Sequence, residues 1–234
     1  MTTQITSPVQ LHGWFDPRLS RWLWLVKMLL AIPHFVILAV LNAAFLLVTL
    51  ASGIVILFTG RYPRALFDFT VGVLRWNWRV GFYVYAALGT DSYPPFTLRD
   101  TEYPARFDVA YPTRLSRWLV VVKWMLALPH VAIVIFVMAD ILTFVPSSTG
   151  SIAGAFSIVN VLAVTAGAFL LMTGRYPQPL FDLLIGINRW IYRVVAYVAF
   201  MSDVYPPFRL DTGANEPRPA AAEREAEAIL PILL

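Results

Sequence analysis

The chain has 234 residues, 59% of them hydrophobic and only 14% charged. A soluble domain of this length carries about 25% charged residues, so the excess apolar surface calls for a lipid solvent. The net charge of +4 sits at the flanks of apolar stretches, not in a basic stripe on a polar domain, which excludes nucleic acid as a partner, and the lack of cysteine excludes disulfides and thiolate chemistry.

Residues 1–13 form an N-terminal segment without Lys or Arg, unlike the basic start of a cleavable signal peptide. Residues 28–60 and 124–174 also contain no Lys or Arg, and Asp140 is the only carboxylate in either stretch. Apolar runs of about 18 or more residues read as membrane helices. The first window, residues 22–58, is expected to be a hairpin with its turn near Asn42. Each arm would be about 27 Å long at about 1.5 Å per residue, barely a hydrocarbon core of about 30 Å. A single tilted, bent helix is the competing reading. An aromatic helix over residues 66–88 follows, with Asp68, Gly72, Arg75 and Arg79 on one stripe and Trp76, Trp78 and Tyr83 elsewhere. Such a helix suits the headgroup region, although it could instead span with the stripe facing a bundle.

Residues 99–113 link to a second copy and are expected to include a strand near 105–110. The second copy begins with Arg114-Leu115-Ser116-Arg117-Trp118-Leu119, repeating Arg18-Leu19-Ser20-Arg21-Trp22-Leu23. Lys27 returns as Lys123, Pro33-His34 as Pro129-His130, and Thr59-Gly60-Arg61-Tyr62-Pro63 as Thr173-Gly174-Arg175-Tyr176-Pro177. Leu66-Phe67-Asp68 becomes Leu180-Phe181-Asp182, Arg75-Trp76 becomes Arg189-Trp190, Arg79-Val80 becomes Arg193-Val194, and Tyr93-Pro94-Pro95-Phe96 becomes Tyr205-Pro206-Pro207-Phe208. Chance does not give so many ordered matches, so the chain is a duplication. Between the Pro-His pair and the Tyr-Pro corner the second copy is 18 residues longer, with a loop signal at residues 146–151. Its window therefore splits into helices near 118–143 and 152–172. The tail, residues 211–234, is rich in Pro, Ala and Glu and is expected to be mobile with one short helical stretch.

The fold expected is an all-α membrane protein of two homologous halves, residues 14–98 and 114–210. Each is a transmembrane helical hairpin followed by an aromatic, Arg-striped interfacial helix. Hairpins keep Lys and Arg on one side of the bilayer, giving a multi-pass protein of the plasma membrane with both termini cytoplasmic.

At Arg21-Trp22, Lys27, Ala31-Ile32-Pro33-His34, Thr59-Gly60-Arg61-Tyr62-Pro63-Arg64, Leu66-Phe67-Asp68, Gly72-Val73-Leu74-Arg75-Trp76 and Tyr93-Pro94-Pro95-Phe96, and at their second copies, the sequence resembles an uncharacterised family of bacterial membrane proteins. That family is known as a domain of unknown function (number 4389) and is common in actinobacteria. The resemblance covers roughly residues 14–210, and Gln178 departs from it where the first copy has Arg64. It implies a membrane location and a duplication, and no activity.

The candidate sites follow from charge and place. Lys27, Arg61, Arg64, Arg75, Arg79, Lys123, Arg175, Arg189 and Arg193 are expected to form a basic aromatic rim for anionic lipid headgroups. For the two lysines, snorkelling to the interface is the plainer reading. Asp68 and Asp182 are expected to pair with these Arg residues and lock the helix to the hairpin. His34, His130 and Asp140 are polar groups within the membrane, each histidine expected to bond a carbonyl freed by the preceding proline, and Asp140 to sit near a loop. No cofactor motif, metal-ligand set or nucleophile–base pair is present. The expected function is a non-enzymatic accessory subunit of a larger cell-envelope complex, lipid-transport machinery first among the candidates, with anionic lipids and other integral membrane proteins as partners. A small lipid or solute transporter with its path between the repeats is the alternative. A membrane-shaping anchor and a lipid enzyme rank below it.

Overall fold

The computed structural model describes residues 7–138 and 158–215. Its elements are strand β1 (Val9–Gly13), helices α1 (Trp24–Leu30), α2 (Ile32–Thr59) and α3 (Arg64–Val84), strand β2 (Ala105–Val109), and helices α4 (Arg117–Met138), α5 (Ile158–Thr173) and α6 (Gln178–Val198). The class is mainly helical, as expected. β2 falls in the linker where a strand is expected, and it pairs antiparallel with β1, Leu11 opposite Phe107. Alternation sets the pair's two faces: Val9, Leu11, Ala105, Phe107 and Val109 point inward, while Gln10, Arg106 and Asp108 are exposed.

The first apolar window is not a hairpin. α1 ends at Ala31, Pro33 sits in the first turn of α2 where its missing N–H is tolerated, and α2 then runs unbroken to Thr59. Asn42 does not turn the chain. Its amide exchanges hydrogen bonds with Asn77 of α3 (3.3 and 2.9 Å), and the Ala43-Ala44 that follows favours helix. The helix stops at Gly60, whose φ of 69° is the left-handed conformation glycine supplies at a helix end. The Thr59 hydroxyl bonds Val55 O and accepts the Arg61 N–H, and Pro63, in extended conformation, starts α3 in the reverse direction. Thr173, Gly174 (φ 70°) and Pro177 build the same corner before α6.

The second window is not a hairpin either. Lys123 reaches Ser202 O, Trp124 donates to Val198 O, and His130 lies against Trp190, so α4 runs antiparallel to α6. The tight corner from Gly174 to Pro177 makes α5 antiparallel to α6 as well. α4 and α5 therefore point the same way. By the repeat, the end of α4 at Met138 matches Asn42 and the start of α5 at Ile158 matches Ala44, so the two helices reproduce α2 in two pieces. Asp140 and the loop signal at 146–151 lie outside the described residues.

The helices form layers. α3 and α6 are buried in the middle, with Trp78 against Tyr192 and Phe82 against Phe181. On one side lie α1, α2, α4 and α5, whose outer faces expose Val36, Leu47, Trp118, Val121, Phe136 and Met172. α2 and α4 are long and apolar enough to cross a membrane, and only 17% of each apolar stretch is buried within the protein. On the other side lie the strand pair and the segments that return along α3 and α6. The expected interfacial helices are thus interior ones, because both their faces are covered. The tail also begins as structure: Gly13 donates to Ala214 O, and Arg193 pairs with Asp211.

Candidate functional site

Equivalent residues of the two copies form three clusters. The first centres on the lysines. Lys27 is 1% exposed; its ammonium donates to Thr90 O (2.6 Å) and pairs with Asp91 (2.9 Å). Lys123, equally buried, donates to Ser202 O (2.9 Å) and pairs with Asp203 (2.8 Å). Each carboxylate also accepts a backbone N–H from the Arg-Leu-Ser-Arg motif, Asp91 from Ser20 and Asp203 from Ser116. The Tyr83 and Tyr197 rings lie 5.0 and 4.8 Å from the ammonium groups. The lysines therefore do not snorkel and do not face headgroups. A desolvated ammonium has to be paired, and the partner is an aspartate two residues before each Tyr-Pro-Pro-Phe. The internal repeat carries that signal, since Asp91 and Asp203 stand at matching places.

The second cluster is the arginine stripe. The stripe exists, and it faces the returning segment instead of lipid. Arg75 donates to Phe107 O (3.0 Å) and Leu98 O (3.3 Å) and pairs with Asp108 (3.2 Å). Arg79 donates to Thr97 O (3.0 Å) and Arg99 O. Arg189 donates to Leu11 O, Asp211 O and Gly213 O, and Arg193 pairs with Asp211 (2.6 Å). Arg79 and Arg189 are at most 1% exposed, so neither meets a headgroup. Burial pulls the Arg79 guanidinium below its usual pKa, with Arg75 adding to it and Asp100 opposing. Backbone acceptors have no side-chain signature in a sequence. The clue is the glycine within the stripe: a Cβ on Gly72 would stand 2.9 Å from Leu98 Cβ, so only glycine lets that segment lie close.

The third cluster encloses the histidines. His34 Nδ1 accepts the Trp76 indole N–H (3.0 Å), and the ring stacks on Phe96 at 4.0 Å with Tyr93 beside it. His130 stacks on Phe208 at 3.8 Å beside Tyr205. In the first copy, then, the imidazole's partner is an indole, not a carbonyl freed by proline. The Tyr-Pro-Pro-Phe motif is a clamp: its Tyr hydroxyl also bonds back to the first helix, Tyr93 to Leu30 O and Tyr205 to Leu126 O.

Of the expected rim, Arg61, Arg64 and Arg175 alone are exposed. Arg64 pairs with Asp68 one turn on, and Gln178 donates to Asp182 in the second copy. Neither aspartate ties its helix to another, because the partner lies in the same helix. Among the described residues no group of three or more His, Asp or Glu could hold a metal ion.

A family model described as Domain of unknown function (DUF4389) matches residues 21–97 and 151–209, one segment in each half of the duplication. No curated protein and no solved structure matches the chain. The matched segments contain the first histidine clamp, both Tyr-Pro corners, both arginine stripes and Lys27–Asp91, and with more than half the chain covered this protein belongs to the DUF4389 family.

Proposed function

We propose that the protein is a non-enzymatic, membrane-embedded accessory subunit of a cell-envelope assembly in the bacterial plasma membrane, with lipid-transport machinery the first partner class to test. One observation carries this reading: the buried cations are spent on internal bonds, Lys27 and Lys123 on aspartates and Arg75, Arg79, Arg189 and Arg193 on the returning segments. The large unsatisfied surface is the apolar side of α1, α2, α4 and α5, which suits acyl chains and other membrane helices. Arg61 and Arg175, with Arg18, Arg21, Arg114 and Arg117 of the two Arg-Leu-Ser-Arg motifs, are exposed and suited to attract anionic headgroups. Residues 7–13 and 211–215 both lie in the polar layer, in keeping with both ends on the cytoplasmic side.

The transporter alternative needs a path between the halves; the aromatic contacts of Trp78 with Tyr192 and Phe82 with Phe181 pack the α3–α6 seam, which leaves, among the described residues, a surface groove between Gly53 and Leu57 of α2 and Val121 and Trp124 of α4. Isolation from native membrane in mild detergent tests the leading reading. Co-elution with a defined set of membrane proteins is the expected result, and a chain that always runs alone removes the subunit role. Release of the protein by alkaline carbonate would remove the membrane reading itself.

A further inference from the structure

Resting on the membrane reading, we infer that the molecule lies flat in a single leaflet, its helices parallel to the membrane plane and the outer faces of α1, α2, α4 and α5 sunk among the acyl chains. Three observations carry this orientation.

The strand pair sits over the middle of the buried helices, not at their ends. Arg75, midway along α3, holds Phe107 O and Asp108; Trp78 donates to His12 O; Arg189, midway along α6, holds Leu11 O. That strand layer exposes Gln10, Arg106 and Asp108, and the segment beside it exposes Arg99, Asp100 and Glu102. Were α3 and α6 upright, these charges would stand near mid-depth in hydrocarbon, where charged groups and irregular backbone are not tolerated against lipid. With the helices flat, the whole layer faces headgroups and water.

The two Tyr-Pro corners lie at opposite ends of the molecule. The first meets the start of the second half, where Leu115 donates to Gly60 O. The second meets the C-terminal end of α3, where Tyr176 donates to Ala87 O (2.6 Å), and Gly174 lies against Arg21. The exposed arginines around the two corners accordingly form two groups, Arg61, Arg64, Arg114 and Arg117 at one end and Arg21 and Arg175 at the other. An upright molecule would export one group. A flat one keeps both in the headgroups of one leaflet, which satisfies the bias of basic residues to a single side without any chain crossing.

Dimensions agree. α2 has 28 residues, about 42 Å at about 1.5 Å per residue, well beyond a hydrocarbon core of about 30 Å. A layer one helix deep is about 10–12 Å thick, which fits within one leaflet's share of that core.

The chain contains no cysteine, so single-cysteine variants report cleanly. Arg61→Cys, Arg175→Cys and Arg106→Cys, all exposed, are made in the full chain and treated with a membrane-impermeant maleimide in right-side-out and inverted vesicles. The expected result is labelling of all three from the same side. Labelling of Arg61→Cys and Arg175→Cys from opposite sides overturns the proposal. A second measurement guards against altered variants: spin labels at Val36→Cys, Leu47→Cys and Leu57→Cys, in vesicles of phosphatidylethanolamine and phosphatidylglycerol, read depth along α2. Equal depth is expected, whereas an upright helix would separate the first two by about 16 Å. Opposite-side labelling in carbonate-resistant protein sinks the flat orientation alone, and carbonate release sinks the membrane reading with it.

Discussion

At the scale of residues, the duplication is a natural experiment in which the same side chains are bonded twice with small differences. The Lys27–Asp91 and Lys123–Asp203 pairs are the clearest repetition, each a nearly fully buried ammonium against a mostly buried carboxylate. Removing one partner leaves the other charged and desolvated, a change on the order of 3 kcal/mol. Asp91→Asn should therefore lower the denaturation midpoint in detergent strongly, while Lys27→Met combined with Asp91→Asn recovers much of the loss. A double variant as unstable as the single one would show that the pair does more than neutralise itself. The histidines differ between copies in an instructive way. His34 takes the Trp76 indole proton, whereas the His130 and Trp190 rings lie 5.7 Å apart at 49° without that bond. His34→Phe strands a buried indole N–H, at a cost of about 1–3 kcal/mol; His130→Phe should cost less, and the same thermal melts compare them. Equal losses would mean that stacking on Phe96 and Phe208 outweighs the hydrogen bond.

At the scale of elements, the arginine stripes act as backbone clasps. Arg79 holds the carbonyls of Thr97 and Arg99, on either side of the Leu98 carbonyl that Arg75 holds. Arg79→Met keeps most of the volume and removes the donors, so amide hydrogen exchange over residues 97–101 should accelerate while exchange in the centre of α3 stays slow. Unchanged exchange would show that Gly72 packing against Leu98 suffices to hold the segment. Much of this level was readable in the sequence: the 100° stripe, the Tyr-Pro corners, strand β2 and the two-copy order all follow from spacing and turn chemistry. What escaped was what each face meets. Periodicity marks Asp68, Gly72, Arg75 and Arg79 as one face, but it does not distinguish headgroups from the chain's own carbonyls. β1 escaped because the alternation of Val9, Gln10, Leu11 and His12 is short and gains meaning only beside β2.

At the scale of the whole molecule, the hairpin expectation failed for a reason that bears on function. The first apolar window is too long for one upright helix and too short for two comfortable ones, the second is long enough for two, and apolar content carries no information about direction. The structure resolves the length by running straight, α2 in one piece and α4 with α5 in two parallel pieces, which an upright bilayer span would not need. The same geometry interlocks the halves. Gly53 of α2 lies against Phe200, Gly167 of α5 against Trp24, Tyr176 bonds Ala87 O, and Arg189 bonds Leu11 O across the duplication. Neither half therefore closes its own core, although each holds one complete lysine pair and one histidine clamp. A chain divided at Thr113, an exposed residue between β2 and α4, tests this directly. Fragments 1–113 and 114–234, expressed together with a tag on one only, should copurify from detergent with a melting transition, because the contacts that cross the cut are numerous and the cut itself removes none of the clusters. Each fragment expressed alone should be degraded or aggregate, since α3 or α6 would be stripped of the partner that covers it. A first fragment that is stable and well folded by itself would show instead that the copies are independent units joined by a linker, and that the buried aromatic seam between Trp78 and Tyr192 contributes little to holding them.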